Sequence, residues 1–145
     1  MFSDLKSALI IIVAVLAVAG VRAEGQARMK QTNSKTISPG DWGGVGIHAV
    51  ADGSGISIEL DCASANIGVP LRVDRNGKFS VAGSFTEASR GPIRLGHQPK
   101  PQPAHFSGAV TGRSMKLKIT IDSSRETVGT YSLQHGKEGV LHRCR

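Results

Sequence analysis

The sequence has few aromatic residues and few cysteines for its length. Its 145 residues include one Trp, one Tyr, four Phe and two Cys, whereas glycine occurs 18 times, which is well above its usual share of about 7%. No segment shows the apolar period of an amphipathic helix, so a helical bundle is excluded. Abundant glycine without helical periodicity favours a fold of short strands and turns.

The motifs of common enzyme classes are also missing. The chain contains no Gly-x-Ser-x-Gly elbow, no phosphate-binding glycine loop and no HExxH spacing, so an enzyme is the less favoured interpretation. We expect no cofactor and no metal, because the five histidines are isolated from one another. A closed barrel would bring only His48 and His142 together, and two imidazoles alone bind a metal weakly.

The N-terminus has the pattern of a secretory signal peptide. Lys6 precedes a twelve-residue apolar run from Ala8 to Ala19, and Val21, Arg22 and Ala23 follow. This predicts a signal peptide over residues 1–23, cleaved after Ala23. The apolar run is short for a bilayer span, which needs about 20 residues, and an uncleaved membrane anchor is the alternative. We therefore expect export to the periplasm or the extracellular space, with no stable membrane span after cleavage.

The chain is basic, with 18 Lys and Arg, 11 Asp and Glu, and a formal net charge of +7. The basic residues are dispersed along the sequence rather than clustered, which is typical of a solvated surface. A nucleic-acid partner is disfavoured, because an exported protein rarely meets nucleic acid and the few aromatics offer little for base stacking.

The two cysteines predict a disulfide. Cys62 and Cys144 are not in a CxxC or a Cys/His metal spacing. In an oxidising compartment such a pair forms a structural bridge, which is worth roughly 4.5 kcal/mol for a loop of about 80 residues.

Alternating apolar residues and glycine-rich turns predict about eight consecutive strands. We place them near residues 45–49, 56–62, 67–73, 79–85, 106–110, 115–121, 131–133 and 140–143. The expected fold is an all-β, up-and-down antiparallel barrel over residues 42–145, with a β-sandwich as the alternative. Residues 24–41 are polar and predict a flexible lead-in. Cys62 and Cys144 would then end strands two and eight at one rim of the barrel.

Charged residues that are two apart on a strand point to the same face. Glu59 and Asp61 alternate with apolar neighbours on one strand, and Lys116 and Lys118 do so on another. We expect both pairs to project outward from the barrel, as solvated groups rather than an acid/base pair.

The segment from Glu87 to Ala104 is the one long connection. It contains Pro92, Pro99, Pro101 and Pro103, together with Arg90, Arg94 and Lys100. Long loops in compact domains are usually functional or disordered. We predict that Arg90, Arg94 and Lys100 contact an anionic partner, a protein or an envelope polymer. The alternative is a loop that only covers one end of the barrel.

One pattern resembles a group of small exported bacterial proteins. Its elements are Trp42-Gly43-Gly44, Asp61-Cys62, Pro70-Leu71, Gly91-Pro92 and Arg143-Cys144. The resemblance implies an exported single domain of bacterial origin and no particular activity.

Three functions are compatible with these observations. A non-catalytic binding or inhibitor-type module of the cell envelope leads, because a rigid scaffold with one long loop is typical of binding proteins. A lipocalin-like carrier of a small apolar ligand is second, and it requires a cavity inside the barrel. A hydrolase without a recognisable motif is third.

Overall fold

The computed structural model describes residues 34–89, 92, 95–96, 98–142 and 144. The predicted signal peptide, Arg90 and Arg94 lie outside these residues. The described chain is all-β, and it contains no helix long and apolar enough to cross a membrane. Its ten strands are β1 (Lys35–Thr36), β2 (Gly40–Gly44), β3 (Ile47–Ala51), β4 (Ile56–Leu60), β5 (Ala63–Ile67), β6 (Arg72–Val73), β7 (Lys78–Glu87), β8 (Gln102–Thr111), β9 (Ser114–Ile121) and β10 (Thr127–His135).

Eight of these strands form a closed antiparallel barrel, which confirms the predicted fold class. The order around the barrel is β10, β2, β3, β4, β5, β7, β8, β9. The seam between β10 and β2 is short, since only Gln134 with Gly43 and His135 with Trp42 are paired. The ring of Trp42 lies against that of His135 at a centroid distance of 4.9 Å, which reinforces this seam.

The number of barrel strands agrees with the prediction, but two assignments were wrong. The predicted third strand, residues 67–73, is mostly outside the barrel. Ile67 ends β5, and only β6 within the rest of it is a strand. Pro70 explains this, because a proline cannot donate to a ladder and is rarely found inside a central strand.

In the predicted eighth strand, residues 140–143, the described residues 140–142 do not form a strand. Val140 forms one parallel bridge with Val45. The eighth place in the barrel belongs to β2, whose sequence Gly-Asp-Trp-Gly-Gly has one large apolar side chain and therefore little alternation to detect. The five-residue strand β5 was also missed apart from Ile67, because its sequence Ala-Ser-Ala-Asn-Ile has one large apolar side chain and little alternation to detect.

Residues 34–41, the described part of the predicted lead-in, belong to the fold. β1 pairs with β6, Ile37 is buried, and its N–H donates to the carbonyl of Leu71. The indole of Trp42 donates to the carbonyl of Ser38 at 3.0 Å. The pairing of β1 with β6 and the bond from Ile37 to Leu71 join residues distant in sequence, so local composition could not reveal them.

The barrel interior is filled by apolar side chains. Trp42, Ile47, Phe106, Ile119 and Leu133 are at most 1% exposed. Two inward-facing glycines leave room for aromatic rings, since a Cβ at Gly83 would lie 2.7 Å from the ring of Phe106, and one at Gly108 would lie 2.9 Å from that of Phe79. Placing a ring over a glycine packs the interior closely.

After β10 the chain returns across the outside of the barrel, and we call residues 137–142 the C-terminal strap. The strap hydrogen-bonds to β2 and the turn after it, because Val140 N–H donates to the carbonyl of Gly44 and Gly46 N–H donates to that of Val140. It lies so close to the wall that a Cβ at Gly139 would be 2.1 Å from the carbonyl oxygen of Ile47. The strap therefore clamps the outer edge of β2 and β3.

Candidate functional site at one end of the barrel

Alternate connections of an antiparallel barrel lie at the same end. Here the β2–β3, β4–β5, β7–β8 and β9–β10 connections share one end, which we call the loop end. The β7–β8 connection is residues 88–101 and is the longest of the four. Because loops on rigid scaffolds carry recognition, this end is the candidate functional site.

The structure shortens the predicted loop. β7 continues through Glu87, and β8 begins at Gln102, so Pro103 and Ala104 are strand residues. Pro103 is tolerated because it lies next to the first residue of β8, and its carbonyl accepts the N–H of Asp122. Lys100 is exposed, as are the other described residues of the connection. The predicted contacts Arg90 and Arg94 lie outside the described residues.

A pocket of about 240 Å³ opens at the loop end. Leu60, Phe85 and Tyr131 give it apolar surface, and Asp61 and Glu87 add carboxylates. Partial burial raises the pKa of Tyr131, and the negative charge of Asp61 raises it further. The phenol is therefore neutral at physiological pH and can donate or accept a hydrogen bond at the mouth of the barrel.

Exposed apolar side chains also occur in the segments at the loop end. Val45 is 75% exposed and Val140 57% exposed, and they are bridged to each other. Leu95, in the long connection, is fully exposed. Val128 lines the pocket and is partly exposed. Apolar residues gathered at one end are typical of an interaction surface, whereas single exposed ones are not informative.

The disulfide anchors the strap at the loop end. Cys62 and Cys144 are bonded, with their Cα atoms 5.4 Å apart, which confirms the predicted bridge. The predicted geometry was wrong, because Cys62 lies in the β4–β5 turn and Cys144 follows the strap instead of ending a strand. His142 adds a second attachment, since its N–H donates to the carboxylate of Asp61 at 2.8 Å.

The structure assigns His48 and His142 to separate places. His48 lies on β3, where its Nδ1 accepts the N–H of Gly139 at 3.0 Å and its Nε2 lies 3.4 Å from Asp41. His142 lies beside Asp61, with Nδ1 3.5 Å from the carboxylate. Both imidazoles therefore attach the strap to the barrel. Within the described residues no group of three or more His, Cys, Asp or Glu is placed to hold a metal.

One hydrogen-bonded pair that the sequence did not suggest resembles part of a hydrolase site. The hydroxyl of Ser80 lies 2.5 Å from Nε2 of His105, on the outer face of β7 and β8. A nucleophilic serine also needs a group that orients the histidine and donors that stabilise the oxyanion. The outward neighbours of this pair on β7 and β8 are Ala82 and Ser107. Within the described residues the pair is a cross-strand polar contact between β7 and β8.

No protein-family model, no curated protein and no solved structure matches the chain. The resemblance to small exported bacterial proteins thus stays a prediction, and function has to be argued from the residues themselves.

Proposed function

We propose that the protein is an exported, non-catalytic binding module of the cell envelope, of the kind that includes inhibitors, and that it contacts an anionic partner through the β7–β8 connection. The observation that carries the proposal is the contrast between a filled barrel and a long connection at its loop end. Phe79, Phe106 and Trp42 occupy the interior, so a partner has to be bound from outside.

The composition of the connection supports binding. Pro99 and Pro101 limit its conformations, which reduces the entropy lost when it is fixed by a partner. Arg90, Arg94 and Lys100 supply positive charge for attraction to an anionic surface. Leu95 adds an exposed apolar side chain that a protein partner would bury.

Export supports the same proposal. The Cys62–Cys144 bridge is typical of an oxidising compartment, and the pattern of residues 1–23 predicts cleavage after Ala23. The mass of the exported protein tests this part, and a product that retains residues 1–23 in the membrane fraction would refute it.

The test of binding is capture from envelope extract with matched charge variants. The variant R90E/R94E/K100E should lose the partner that the parent protein retains, while the melting temperature changes little, because exposed loop charges contribute little to folding. The control K35E/R72E/R75E removes the same charge from β1, β6 and the turn after β6, and it should keep the partner.

Equal capture by the parent and the loop variant would refute the proposal, since the connection would then only cover the barrel. Equal loss by the loop variant and the control would also refute it, because attraction would then depend on net charge alone.

A further inference from the structure

The barrel wall is divided into two halves of opposite charge. Strands β2 to β5 carry Asp41 and Glu59 on their outer face and contain no Lys or Arg. Strands β7 to β10 carry Lys78, Lys116 and Lys118, which are all exposed. We call the outward side of β7 to β10 the lysine face.

The register brings the three lysines together on the lysine face. Lys78 pairs with Ala109, which pairs with Lys116, so these two lysines are aligned across β8. Lys118 lies two residues along β9 from Lys116 on the same face. Strand spacing puts the first pair roughly 10 Å apart and the second pair roughly 7 Å apart.

No carboxylate interrupts the lysine face. The single acidic residue of β7 to β10 is Glu87, at the end of β7, and it lines the loop-end pocket instead. The contacts between carboxylates and basic side chains within the described residues, Asp41 with His48 and Asp61 with His142, involve none of the three lysines. Their charge is therefore available to a partner.

A groove of about 530 Å³ borders the lysine face. Lys116 and Ser132 lie on its barrel side, and Lys137, Glu138 and Val140 of the strap lie on the other. The ammonium groups of Lys116 and Lys137 thus line one open channel beside the barrel wall. Glu138 is the carboxylate in the lining of this channel. A linear molecule could follow this channel and remain in reach of both Lys116 and Lys118.

The remaining outward side chains indicate the chemistry of that molecule. Most of them are hydroxyls. One row across β7 to β10 consists of Ser80, Ser107, Lys118 and Thr130. His105 lies beside Ser80. They can donate to and accept from sugar hydroxyls. The outward positions of β7, β8 and β9 hold no Phe, Tyr or Trp for base stacking and no large apolar residue for insertion into lipid.

We propose that the lysine face and its bordering groove bind an acidic polysaccharide. Ammonium groups hold the acidic groups of the polymer, and the serine and threonine hydroxyls bond to its sugar rings. This surface is separate from the β7–β8 connection, so the inference goes beyond the binding function proposed above and does not depend on it.

The test uses heparin and dextran sulfate as probes, with neutral dextran as the reference polymer. The purified protein should bind both acidic polymers and not dextran, with an affinity that falls as salt rises. K78Q/K116Q/K118Q should lose about tenfold or more in affinity, and its dependence on salt should become shallower, because fewer counterions are released.

The matched control is K35Q/R72Q/R75Q, which removes three positive charges outside strands β7 to β10 and should lose less affinity than the lysine-face variant. Equal losses in the two variants would overturn the inference, as would absence of binding to either acidic polymer. Binding of double-stranded DNA or anionic vesicles as tightly as heparin through the same lysines would also overturn it. If R90E/R94E/K100E alone abolishes heparin binding, the lysine face is excluded and the loop proposal stands.

Discussion

The two halves of the barrel wall use their charged groups differently. On the half formed by β2 to β5, Asp41 lies beside His48, which accepts the N–H of Gly139, and the turn after β4 provides Asp61 as acceptor for His142. On the lysine face, Lys78, Lys116 and Lys118 are exposed and take no part in these contacts. The strap covers β2 and β3 of the first half, so the polar groups that hold it serve the fold. The charges of the second half are available for binding.

This comparison predicts that the disulfide stabilises the strapped half more than the lysine face. In C62A/C144A the closed loop spanning 82 residues is opened, which should lower the free energy of unfolding by up to roughly 4.5 kcal/mol. Denaturant titration followed by the fluorescence of Trp42, the single Trp, measures it.

Hydrogen exchange should show which part of the protein becomes less stable when the disulfide is removed. The amides of Gly46, Gly139 and Val140 should lose protection first, while those of β8 and β9 keep theirs until global unfolding. An unchanged unfolding midpoint, or an equal early loss of protection in β8 and β9, would contradict the assignment of the disulfide to the strap.

Close approach of the strap to the barrel is the basis of the next prediction. A Cβ at Gly139 would lie 2.1 Å from the Ile47 carbonyl oxygen, so Gly139→Ala should displace the strap and cost about 1–3 kcal/mol. Gly53→Ala is the matched control, because nothing lies within 4 Å of its Cβ position. Thermal unfolding of both variants measures the difference. Equal melting temperatures would show that the strap does not depend on this contact.

A smaller effect, on the pKa of Tyr131, is expected at the loop-end pocket. Tyr131 is the single Tyr, so the phenolate absorbance of the folded protein reports on it alone. Its pKa should lie above the ordinary 10.0, mainly because it is partly buried. Asp61→Asn removes the negative charge and keeps an acceptor for His142. In this variant the pKa of Tyr131 should be lower than in the parent protein but still above 10.0, because the partial burial remains.

The raised pKa of Tyr131 determines how the stability of the protein depends on pH. The folded state favours the neutral phenol, so this contribution is complete below the ordinary tyrosine pKa and is lost as pH rises through the pKa of the folded protein. Tyr131→Phe should remove that alkaline loss. A Tyr131 pKa at or below 10.0 would show that the phenol is solvated rather than held at the barrel mouth.

The parts of the fold that the sequence predicted are those with strong local signals. Phe79, Val81 and Phe85 alternate along β7, and Met115, Leu117 and Ile119 alternate along β9, so both strands were located correctly. The disulfide was also predictable, because two cysteines have one possible pairing within the chain. Trp42 with its flanking glycines gave no alternation, and β2 was therefore missed.

The lysine face was only partly visible in the sequence. The alternation of β9 predicted that Lys116 and Lys118 share an outward face, but Lys78 comes 38 residues before Lys116 and joins them only through the register of β7, β8 and β9. The strap was not predictable for the same reason. Its contacts join Gly139 to His48 and His142 to Asp61, which are 91 and 81 residues apart.

The measurement that tests the central claim most directly is a chemical-shift map of the ¹⁵N-labelled protein titrated with a heparin oligosaccharide. If the two halves differ as described, the shifted amides should lie on β7 to β10 and along the groove, including Lys78, Lys116, Lys118 and Lys137. Those of β3 and β4 around His48 and Glu59 should not move. Shifts centred on β3 and β4, or spread evenly around the barrel, would contradict the claim that the lysine face is the binding half.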